Sequence, residues 1–384
     1  MQLALPKSHR KVTYLSGICL ALFGLGFFAV PHLLEGEPRS LSAAFLPLPN
    51  HMEITVFSND STTDFTWTLT PVSVWDSAAA AYSFDFVAPD LSCLHVIWDS
   101  VLTAHHWDTL PQIRFWRKVM TLSKDSAIIN IASSRKMLAT MPVWKWEALG
   151  DALKERYRDS VRRHYHLDST AAIFVTAGKG HYYQFERALP SIGRGIEAFR
   201  RRGVDPWYAQ AILLIESPGQ IHMSPVGAYG SFQLMESVAL EHGLVVNDSL
   251  DEREDFELAA GAAADLIRKT CLPQIRWLLR KRNIEFSESD LWFRLLVLHA
   301  YHAGAGNVDG VLDVIKPIAG GVELMKSIWT TEAGGFKNAS QNYSQVALAS
   351  FLELDRVMSM LPDTVCRDTV FLWREVPTEG QMSY

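Results

Sequence analysis

The spacing of hydrophobic positions changes along the chain from a period of two to a period near 3.6. Two short runs, residues 54–57 and 65–70, are rich in β-branched and aromatic residues, and the second alternates strictly between apolar and polar positions. A polar triplet at residues 59–61 separates them, so this stretch predicts two strands joined by a turn. The pattern specifies no fold for residues 40–140, which we expect to form either a small α+β module or an extension wrapped on a larger domain.

Helical periodicity dominates the remainder of the chain. It predicts a long amphipathic helix over residues 144–166, another over residues 185–202, and a last helix over residues 343–360. The first of these has a basic outer face, which we interpret as a solvated surface. The chain is therefore expected to be mainly α-helical, with residues 141–180 as a helical connector and residues 181–360 as a helical domain.

The first 34 residues have the pattern of a targeting segment. Lys7, Arg10 and Lys11 precede an uncharged, largely apolar stretch at residues 12–34, which is long enough to cross a bilayer at about 20 residues per span. The basic flank favours a cytoplasmic N-terminus and export of the residues that follow. Because a small-residue cleavage site comes only at residues 42–44, we expect an uncleaved signal anchor, with a cleaved signal peptide as the alternative.

Composition and charge narrow the class of protein. Hydrophobic residues make up 48% and charged residues 20% of 384 residues, which allows a sizeable core in two or three domains. A proline-bearing linker is predicted at residues 35–50, a region of unknown fold at residues 51–140, and a tail without a readable role at residues 361–384. The net charge of -6 gives no argument for nucleic-acid binding, so a partner has to be recognised by shape and local hydrogen bonding.

Three cysteines lie outside the targeting segment. Cys93, Cys271 and Cys366 are widely spaced and follow no metal-binding pattern. In an exported protein, one pair of them would be free to form a disulfide and leave the third as a thiol. Three free thiols are the alternative, and the sequence does not choose between these arrangements.

The most distinctive stretch of the chain surrounds Glu216. Asp205 and Pro206 are typical of a helix start, and the apolar run after them ends at this glutamate. A loop with the sequence SPVGAYG follows at residues 224–230, and a single amide, Gln233, comes shortly after it. A carboxyl group at the end of a buried helix should have a raised pKa, because burial disfavours its charged form. Such a group donates protons near neutral pH in glycosidases, whereas a solvated or salt-bridged glutamate is the alternative.

Three blocks, in order, resemble the catalytic core of lytic transglycosylases of the SLT type. The first is Glu216-Ser217 with the SPVGAYG loop and the SFQLM that follows it. The second is AYHAGAGNV at residues 300–308, and the third, ASQNY, ends at Tyr343. The resemblance implies a mainly α-helical, lysozyme-like SLT catalytic domain over residues 181–360.

The same resemblance implies an activity and a partner. The expected reaction cleaves the β-1,4 bond between MurNAc and GlcNAc in peptidoglycan glycan strands and forms 1,6-anhydro-MurNAc ends, with Glu216 as the single acid and base. The expected location is the periplasmic side of the inner membrane, where residues 12–34 would anchor the protein. Substrate contacts are implied at Ser217, Phe232, Gln233, Tyr301, His302 and Tyr343.

Competing chemistries lack their sequence motifs. The chain contains no His-Glu-x-x-His, no Cys-x-x-Cys and no phosphate-binding loop, so we expect neither a metal nor a cofactor. His299 and His302 have the spacing of two metal ligands on a helix, but a glycan contact of His302 is the favoured interpretation. Two alternatives stay open: a hydrolytic muramidase with a second acid, and a non-catalytic peptidoglycan-binding protein.

We predict that the full-length protein stays with membranes after a high-salt wash, because residues 12–34 are apolar and long enough to span a bilayer. Cell fractionation followed by immunoblotting measures this. Recovery of the protein in the soluble exported fraction, with a new N-terminus after residue 34, would show cleavage instead.

Overall fold

The computed structural model describes residues 52–56, 65–76, 81–87, 93–218 and 222–360. The predicted targeting segment, the linker, the turn at residues 59–61 and the tail lie outside these ranges. Within them the protein is mainly helical, as the sequence predicts. None of the helices in these ranges combines the length and the apolar character that a membrane crossing requires.

The first described part is an antiparallel sheet whose strands follow one another in sequence order. They are β1 (Met52–Val56), β2 (Phe65–Asp76), β3 (Ala81–Val87) and β4 (Cys93–Trp98). β1 pairs with the first half of β2, from Phe65 to Leu69, and β3 pairs with its second half. The two predicted strands are confirmed, and β2 extends beyond its predicted end at residue 70 because its second half finds a partner in β3.

A second, smaller sheet follows two helices. In chain order the elements are α1 (Val101–Ala104), α2 (Pro111–Thr121), β5 (Ser126–Ile131), β6 (Met137–Pro142), α3 (Val143–Glu147), α4 (Asp151–His164) and β7 (Ile173–Ala177). β5 lies between β6 and β7, and all pairs are antiparallel. A separate core fills this region and consists of Ala127, Ile129, Met141, Trp146, Val161 and Ile173. Residues 126–177 therefore form a unit of their own, called here the α+β unit.

The α+β unit differs from the helical connector predicted at residues 141–180. That range starts inside β6 and includes β7, so these residues complete a sheet. The single helix predicted over residues 144–166 is two helices, because the extended backbone of Gly150 separates α3 from α4. Lys154, predicted on the exposed basic face of that helix, is 3% exposed, and its ammonium group lies 3.3 Å from the carboxylate of Asp151.

The helical domain comprises the remaining described elements. They are α5 (Phe185–Arg201), α6 (Trp207–Glu216), α7 (Glu236–Glu241), the short strands β8 (Val246–Asn247) and β9 (Leu250–Asp251), α8 (Phe256–Leu266), α9 (Leu272–Lys281), α10 (Leu291–Ala303), α11 (Ala305–Ile315), α12 (Val322–Ile328) and α13 (Asn338–Met360). The last helix starts five residues before its predicted position at residue 343. A π-helical turn, Ile267–Cys271, joins α8 to α9.

Cys271 lies in this π-helical turn as a free, buried thiol. Burial raises the pKa of the Cys271 thiol to about 12, so the group stays protonated and unreactive at neutral pH. Among the described residues, Cys271 forms no disulfide. The side chains of Cys93 and Cys366 lie outside the described part of the structure.

Helix α6 lies at the centre of the helical domain. Every residue from Trp207 to Ile215 is buried, and α5, α10 and α13 pack around the helix. Its first turn is capped by Asp205, whose Oδ1 accepts a hydrogen bond from the backbone N–H of Trp207 at 2.9 Å. Oδ2 of the same carboxylate accepts a hydrogen bond from Nε of the buried Arg294 at 2.8 Å. The predicted helix start at Asp205 and Pro206 is confirmed to within one residue.

Buried hydrogen bonds join the four-stranded sheet to α6. The side-chain amide of Gln210 pairs with the backbone of Ile97 in β4: Oε1 accepts from the N–H and Nε2 donates to the C=O, both at 2.7 Å. The indole N–H of Trp207 donates to the carboxylate of Asp99 at 2.9 Å. Since these groups are shielded from water, the bonds set the direction of α6 relative to β4.

We predict that Gln210→Leu destabilises the protein by about 2–4 kcal/mol, because it leaves the N–H and C=O of Ile97 buried without partners. Chemical denaturation measures the change in the free energy of unfolding. Gln112→Leu is the matched control: Gln112 is also buried on a helix, but its Oε1 has no partner among the described residues. A loss at Gln210 no larger than the loss at Gln112 would contradict this role.

Candidate active site

Glu216 is the last residue of α6, where the buried helix reaches the loop that follows it. Its side chain is partly exposed, but protein atoms surround the carboxyl group. This burial raises the pKa of Glu216 from 4.5 to about 7, as the sequence predicts. Near neutral pH such a carboxyl group is populated in both protonation states, so it can give up a proton and take one back.

Three tyrosines from different parts of the chain lie close enough to Glu216 for its charge to affect the pKa of their hydroxyls. They are Tyr183 in the segment before α5, Tyr301 on α10 and Tyr343 on α13. Burial raises the pKa of each hydroxyl, and the nearby carboxylate raises it further. Within the described part of the chain, no second carboxylate influences the pKa of Glu216.

The hydroxyl of Tyr343 interacts with the carboxyl group of Glu216 and lowers its pKa, which opposes the larger effect of burial. By distance and angle criteria, this buried hydroxyl has no hydrogen-bond partner among the described residues, so its link to Glu216 is electrostatic in this structure. Catalytic hydrogen bonds are often long in the free enzyme and tighten in the substrate complex. The ring of His302 stacks on that of Tyr343, with centroids 4.3 Å apart and planes inclined by 17°.

Two tyrosines hold the backbone beside the acid. The hydroxyl of Tyr301 donates to the C=O of Phe232 at 2.7 Å. The hydroxyl of Tyr182 donates to the C=O of Glu216 at 3.0 Å, and this satisfies one of the carbonyl groups left free at the end of a helix. Tyr182 and Tyr183 carry no motif, and sequence reasoning missed both.

The SPVGAYG loop is compact because its own groups pair with one another. The N–H of Ser224 donates to the C=O of Ala228 at 2.8 Å, and Oγ of Ser224 accepts from the N–H of Ala228 at 2.9 Å. Gly230 has a φ of 82°, a region that favours glycine. A Cβ atom there would lie 2.1 Å from the carbonyl oxygen of Arg253, so the position admits glycine alone.

Arg253 stabilises this loop by hydrogen bonds, and the sequence patterns did not predict this role. Its guanidinium donates to the C=O of Gly227 at 2.8 Å and to the C=O of Leu234 at 3.0 Å. Asp251 holds the same guanidinium with two hydrogen bonds of 2.8 and 2.6 Å. Asp255, in the same acidic stretch, caps α8 by accepting a hydrogen bond from the N–H of Leu258. The arginine within that stretch could be assigned only from its tertiary contacts.

Gln233 lies at the far end of the loop with a left-handed backbone, φ 48°. Its Nε2 donates to the C=O of His222 at 2.6 Å and to the C=O of Gly230 at 3.0 Å. Its Oε1 is buried and has no partner among the described residues. The Nε2 group of Gln233 therefore holds the loop, and the role of Gln233 in binding substrate stays a prediction.

The prediction that Phe232 packs against a sugar is wrong. Its ring is fully buried in the core, where it stacks on Phe199 at 5.9 Å and contacts Phe256 at 5.5 Å. Ser217 is also buried, and its hydroxyl donates to the C=O of Ser231 at 2.9 Å, which ties the end of α6 to the loop. The apolar ring fills the space between α5 and α8, so a substrate cannot reach it.

The histidines of α10 are engaged with protein groups. Oγ of Ser344 lies 2.8 Å from Nε2 of the buried His299. Burial lowers the pKa of His299 to about 3 and that of His302 to about 4, so both rings are neutral. Among the residues that the structure describes, no group of three or more His, Cys, Asp or Glu side chains could hold a metal ion. The structure thus places His302 against Tyr343, and its contact with glycan stays a prediction.

Comparison with protein-family models matches residues 195–316 to the transglycosylase SLT domain. The chain carries an SLT domain. The match supports a lytic transglycosylase with an SLT catalytic domain, which implies peptidoglycan as the substrate. No curated protein matches the chain.

The SLT match does not contain the whole cluster around Glu216. It runs from the middle of α5 to just past the end of α11, so it includes Glu216, the SPVGAYG loop and Tyr301. Tyr183 precedes the matched residues and Tyr343 follows them. Part of the surroundings of Glu216 therefore comes from segments that the family model does not cover.

We predict that Glu216→Gln stabilises the protein above neutral pH. A carboxyl group with a folded-state pKa above its unfolded value contributes stability below pH 4.5, and this is lost as the pH rises through about 7. The amide does not titrate, so the variant should match the wild type near pH 4 and exceed its stability above pH 8 by up to about 3 kcal/mol. Urea denaturation at both pH values measures this.

Glu236→Gln is the control for this prediction, because Glu236 is exposed at the start of α7. It should leave the difference in stability between the two pH values unchanged. A Glu216→Gln variant that is no more stable than the wild type at pH 8 would show that the carboxyl group is not buried as described.

Proposed function

We propose that the protein is a lytic transglycosylase that cleaves the MurNAc-GlcNAc β-1,4 bond and leaves 1,6-anhydro-MurNAc ends, with Glu216 as the single acid and base. The surroundings of Glu216 carry this proposal. Burial raises the pKa of its carboxyl group to about 7, and its charge affects the pKa of three tyrosine hydroxyls. No second carboxylate of the described residues shifts the pKa of Glu216. Ordinary glycosidases use two carboxyl groups, roughly 5–9.5 Å apart.

One carboxyl group is enough if the substrate supplies the other reacting groups. In the first step Glu216 donates its proton to the bridging oxygen, the C1–O bond breaks, and the leaving sugar departs as an alcohol. The N-acetyl oxygen of MurNAc stabilises the positive charge at C1. In the second step the C6 hydroxyl of the same sugar attacks C1, and its proton returns to the Glu216 carboxylate. The anhydro ring closes without consuming water.

The environment of Glu216 suits both steps. A pKa near the working pH allows the same group to act as acid and then as base. After the first step the carboxylate is a buried negative charge, and the hydroxyl of Tyr343 can donate a hydrogen bond to it. His302, stacked on the Tyr343 ring, limits the positions that this hydroxyl can take.

The nearby carboxylates outside the cluster are already engaged or exposed, which favours the single-acid scheme over a hydrolytic muramidase. Asp251 pairs with Arg253. Glu252 accepts a hydrogen bond from the backbone N–H of Val245 at 2.6 Å. Glu236 is exposed at the start of α7.

We also propose that the enzyme acts at the periplasmic side of the inner membrane, anchored by residues 12–34. The basic flank and the apolar length of that segment support this location. An enzyme held there would meet glycan strands close to the membrane.

The test of the proposed function is mass spectrometry of purified glycan strands digested by the wild type, Glu216→Gln and Glu236→Gln. We expect anhydro ends from the wild type, and a rate at least about 10²-fold lower for Glu216→Gln, because the amide cannot supply the proton. Glu236→Gln should stay within about tenfold of the wild type. For the wild type, kcat/KM should fall as the pH rises through about 7, where Glu216 loses its proton.

The products separate the alternatives. Reducing ends in place of anhydro ends would show hydrolysis, and a large loss in Glu236→Gln would identify a second acid. Intact strands after prolonged digestion, with binding retained, would indicate a non-catalytic peptidoglycan-binding protein. Near-normal turnover by Glu216→Gln would exclude Glu216 as the acid.

A further inference from the structure

A buried arginine of the α+β unit contacts the helix that carries Tyr343. Arg135 lies in the turn between β5 and β6 with φ 56°, a conformation that residues other than glycine seldom adopt. Its side chain is 4% exposed. Nη2 donates to Oδ1 of Asn338 at 2.6 Å and to Oδ1 of Asn342 at 2.8 Å, in the first turns of α13. The α+β unit is therefore bonded directly to the start of that helix.

The guanidinium of Arg135 is a buried charge held by neutral groups. Burial is the one influence that lowers its pKa, to about 10, and no described carboxylate offsets it. Its other contacts are Oδ1 of Asn130 at 3.4 Å and the rings of Phe115 and Phe174, whose centroids lie 5.5 and 5.4 Å away. Burying a cation without a counter-charge is costly, so stability alone does not account for this residue.

The location of the Arg135 guanidinium beside the first turns of α13 makes its burial still less favourable. α13 has 23 residues, and the N-terminus of a helix carries a partial positive charge that repels a cation. The amide oxygens of Asn338 and Asn342, one helical turn apart on the same face, accept the hydrogen bonds. Two bonds from one rigid, planar group fix the orientation of this face. The arrangement thus favours a defined geometry at the expense of stability.

We propose that Arg135 is a positioning residue for the active site: by fixing the first turns of α13, it holds the hydroxyl of Tyr343 against the carboxyl group of Glu216. This inference rests on the proposed function, in which Glu216 transfers the proton. The α+β unit then takes part in catalysis although none of its residues touches the reacting atoms.

The connection runs through adjacent residues of α13. Asn342, bonded to Arg135, directly precedes Tyr343, and Ser344, bonded to His299, directly follows it. Tyr343 is therefore held from both sides, by the α+β unit and by α10. The hydroxyl of Tyr343 affects the pKa of Glu216 and has no hydrogen-bond partner among the described residues that would hold it in place. A small rotation of the first turns of α13 would therefore change its distance from the carboxyl group.

Moving the hydroxyl of Tyr343 away from Glu216 should raise the pKa of Glu216. Tyr183, Tyr301 and Tyr343 interact electrostatically with this carboxyl group, and the hydroxyl of Tyr343 lowers its pKa. A hydrogen bond to a carboxylate favours the charged form, so its loss raises the pKa of Glu216. Since the first step requires protonated Glu216, the alkaline limb of kcat/KM moves to higher pH.

The experiment measures the pH dependence of kcat/KM on purified glycan strands for the full-length wild type, Arg135→Met, Tyr343→Phe and the double variant. We expect each single variant to move the alkaline limb to higher pH and to lower kcat about tenfold, the effect of one charge-assisted hydrogen bond. The double variant should move the limb no further than Tyr343→Phe does, because both changes break the same contact.

Two further variants control for general effects. Arg135→Lys keeps the charge but loses the planar fork, and it should give a smaller shift in the same direction. Arg158→Met is the matched control in the α+β unit. The guanidinium of Arg158 also lies over an aromatic ring, 5.0 Å from the centroid of Trp146. Unlike Arg135, Arg158 pairs with a carboxylate of its own helix, that of Glu155. This variant should leave the pH profile unchanged.

Titration of the Glu216 carboxyl group by NMR, with ¹³C-labelled glutamate, measures the same coupling without turnover. If the wild type cleaves no glycan, the proposed function fails, and the titration still decides the role of Arg135. A Glu216 pKa that is unchanged in folded Arg135→Met, or shifts that add in the double variant, would overturn the inference. If Arg135→Met does not fold, the titration of Arg135→Lys decides in the same way.

Discussion

A carboxyl group at the end of a helix that is buried on every side is the constraint on which this structure depends. α6 offers no polar face to water, so the helices around it have to supply apolar contacts along its whole length. The same burial that stabilises the domain removes water from the helix end and raises the pKa of Glu216. Stability and chemistry therefore have one physical origin.

Buried polar groups lie at both ends of α6. At the start, Asp205, Trp207 and Gln210 all have hydrogen-bond partners, and burial raises the pKa of Asp99 in spite of the nearby Arg294. Nη1 and Nη2 of Arg294, however, have no hydrogen-bond partner among the described residues. Near the other end, the hydroxyl of Tyr343, Oε1 of Gln233 and Nδ1 of His222 also lack partners there. Buried polar groups usually find partners, so both ends of α6 retain unused hydrogen-bonding capacity.

Sequence patterns predicted the local features of the site and missed those that depend on packing. The helix start at Asp205 and the raised pKa of Glu216 follow from capping chemistry and from an unbroken apolar run. Phe232 was misassigned because its role was carried over from the resemblance to SLT-type enzymes, whereas its ring packs in the core between α5 and α8. The prediction of a helical connector at residues 141–180 was also wrong. β7 is a short apolar run, and its partner strand β5 lies about 45 residues earlier in the sequence, so the local pattern does not show the pairing.

By itself, the sequence determined that a single acid ends an apolar helix and that a glycine-bearing loop follows it, because capping residues, glycine and an apolar run act on their immediate neighbours. The tertiary structure decided what surrounds that acid. Tyr183, Tyr301 and Tyr343 come from three separate segments, and Arg135 reaches α13 from a different unit. The pKa of a buried group depends on all the atoms around it, and those atoms are brought together by folding, not by their order in the chain.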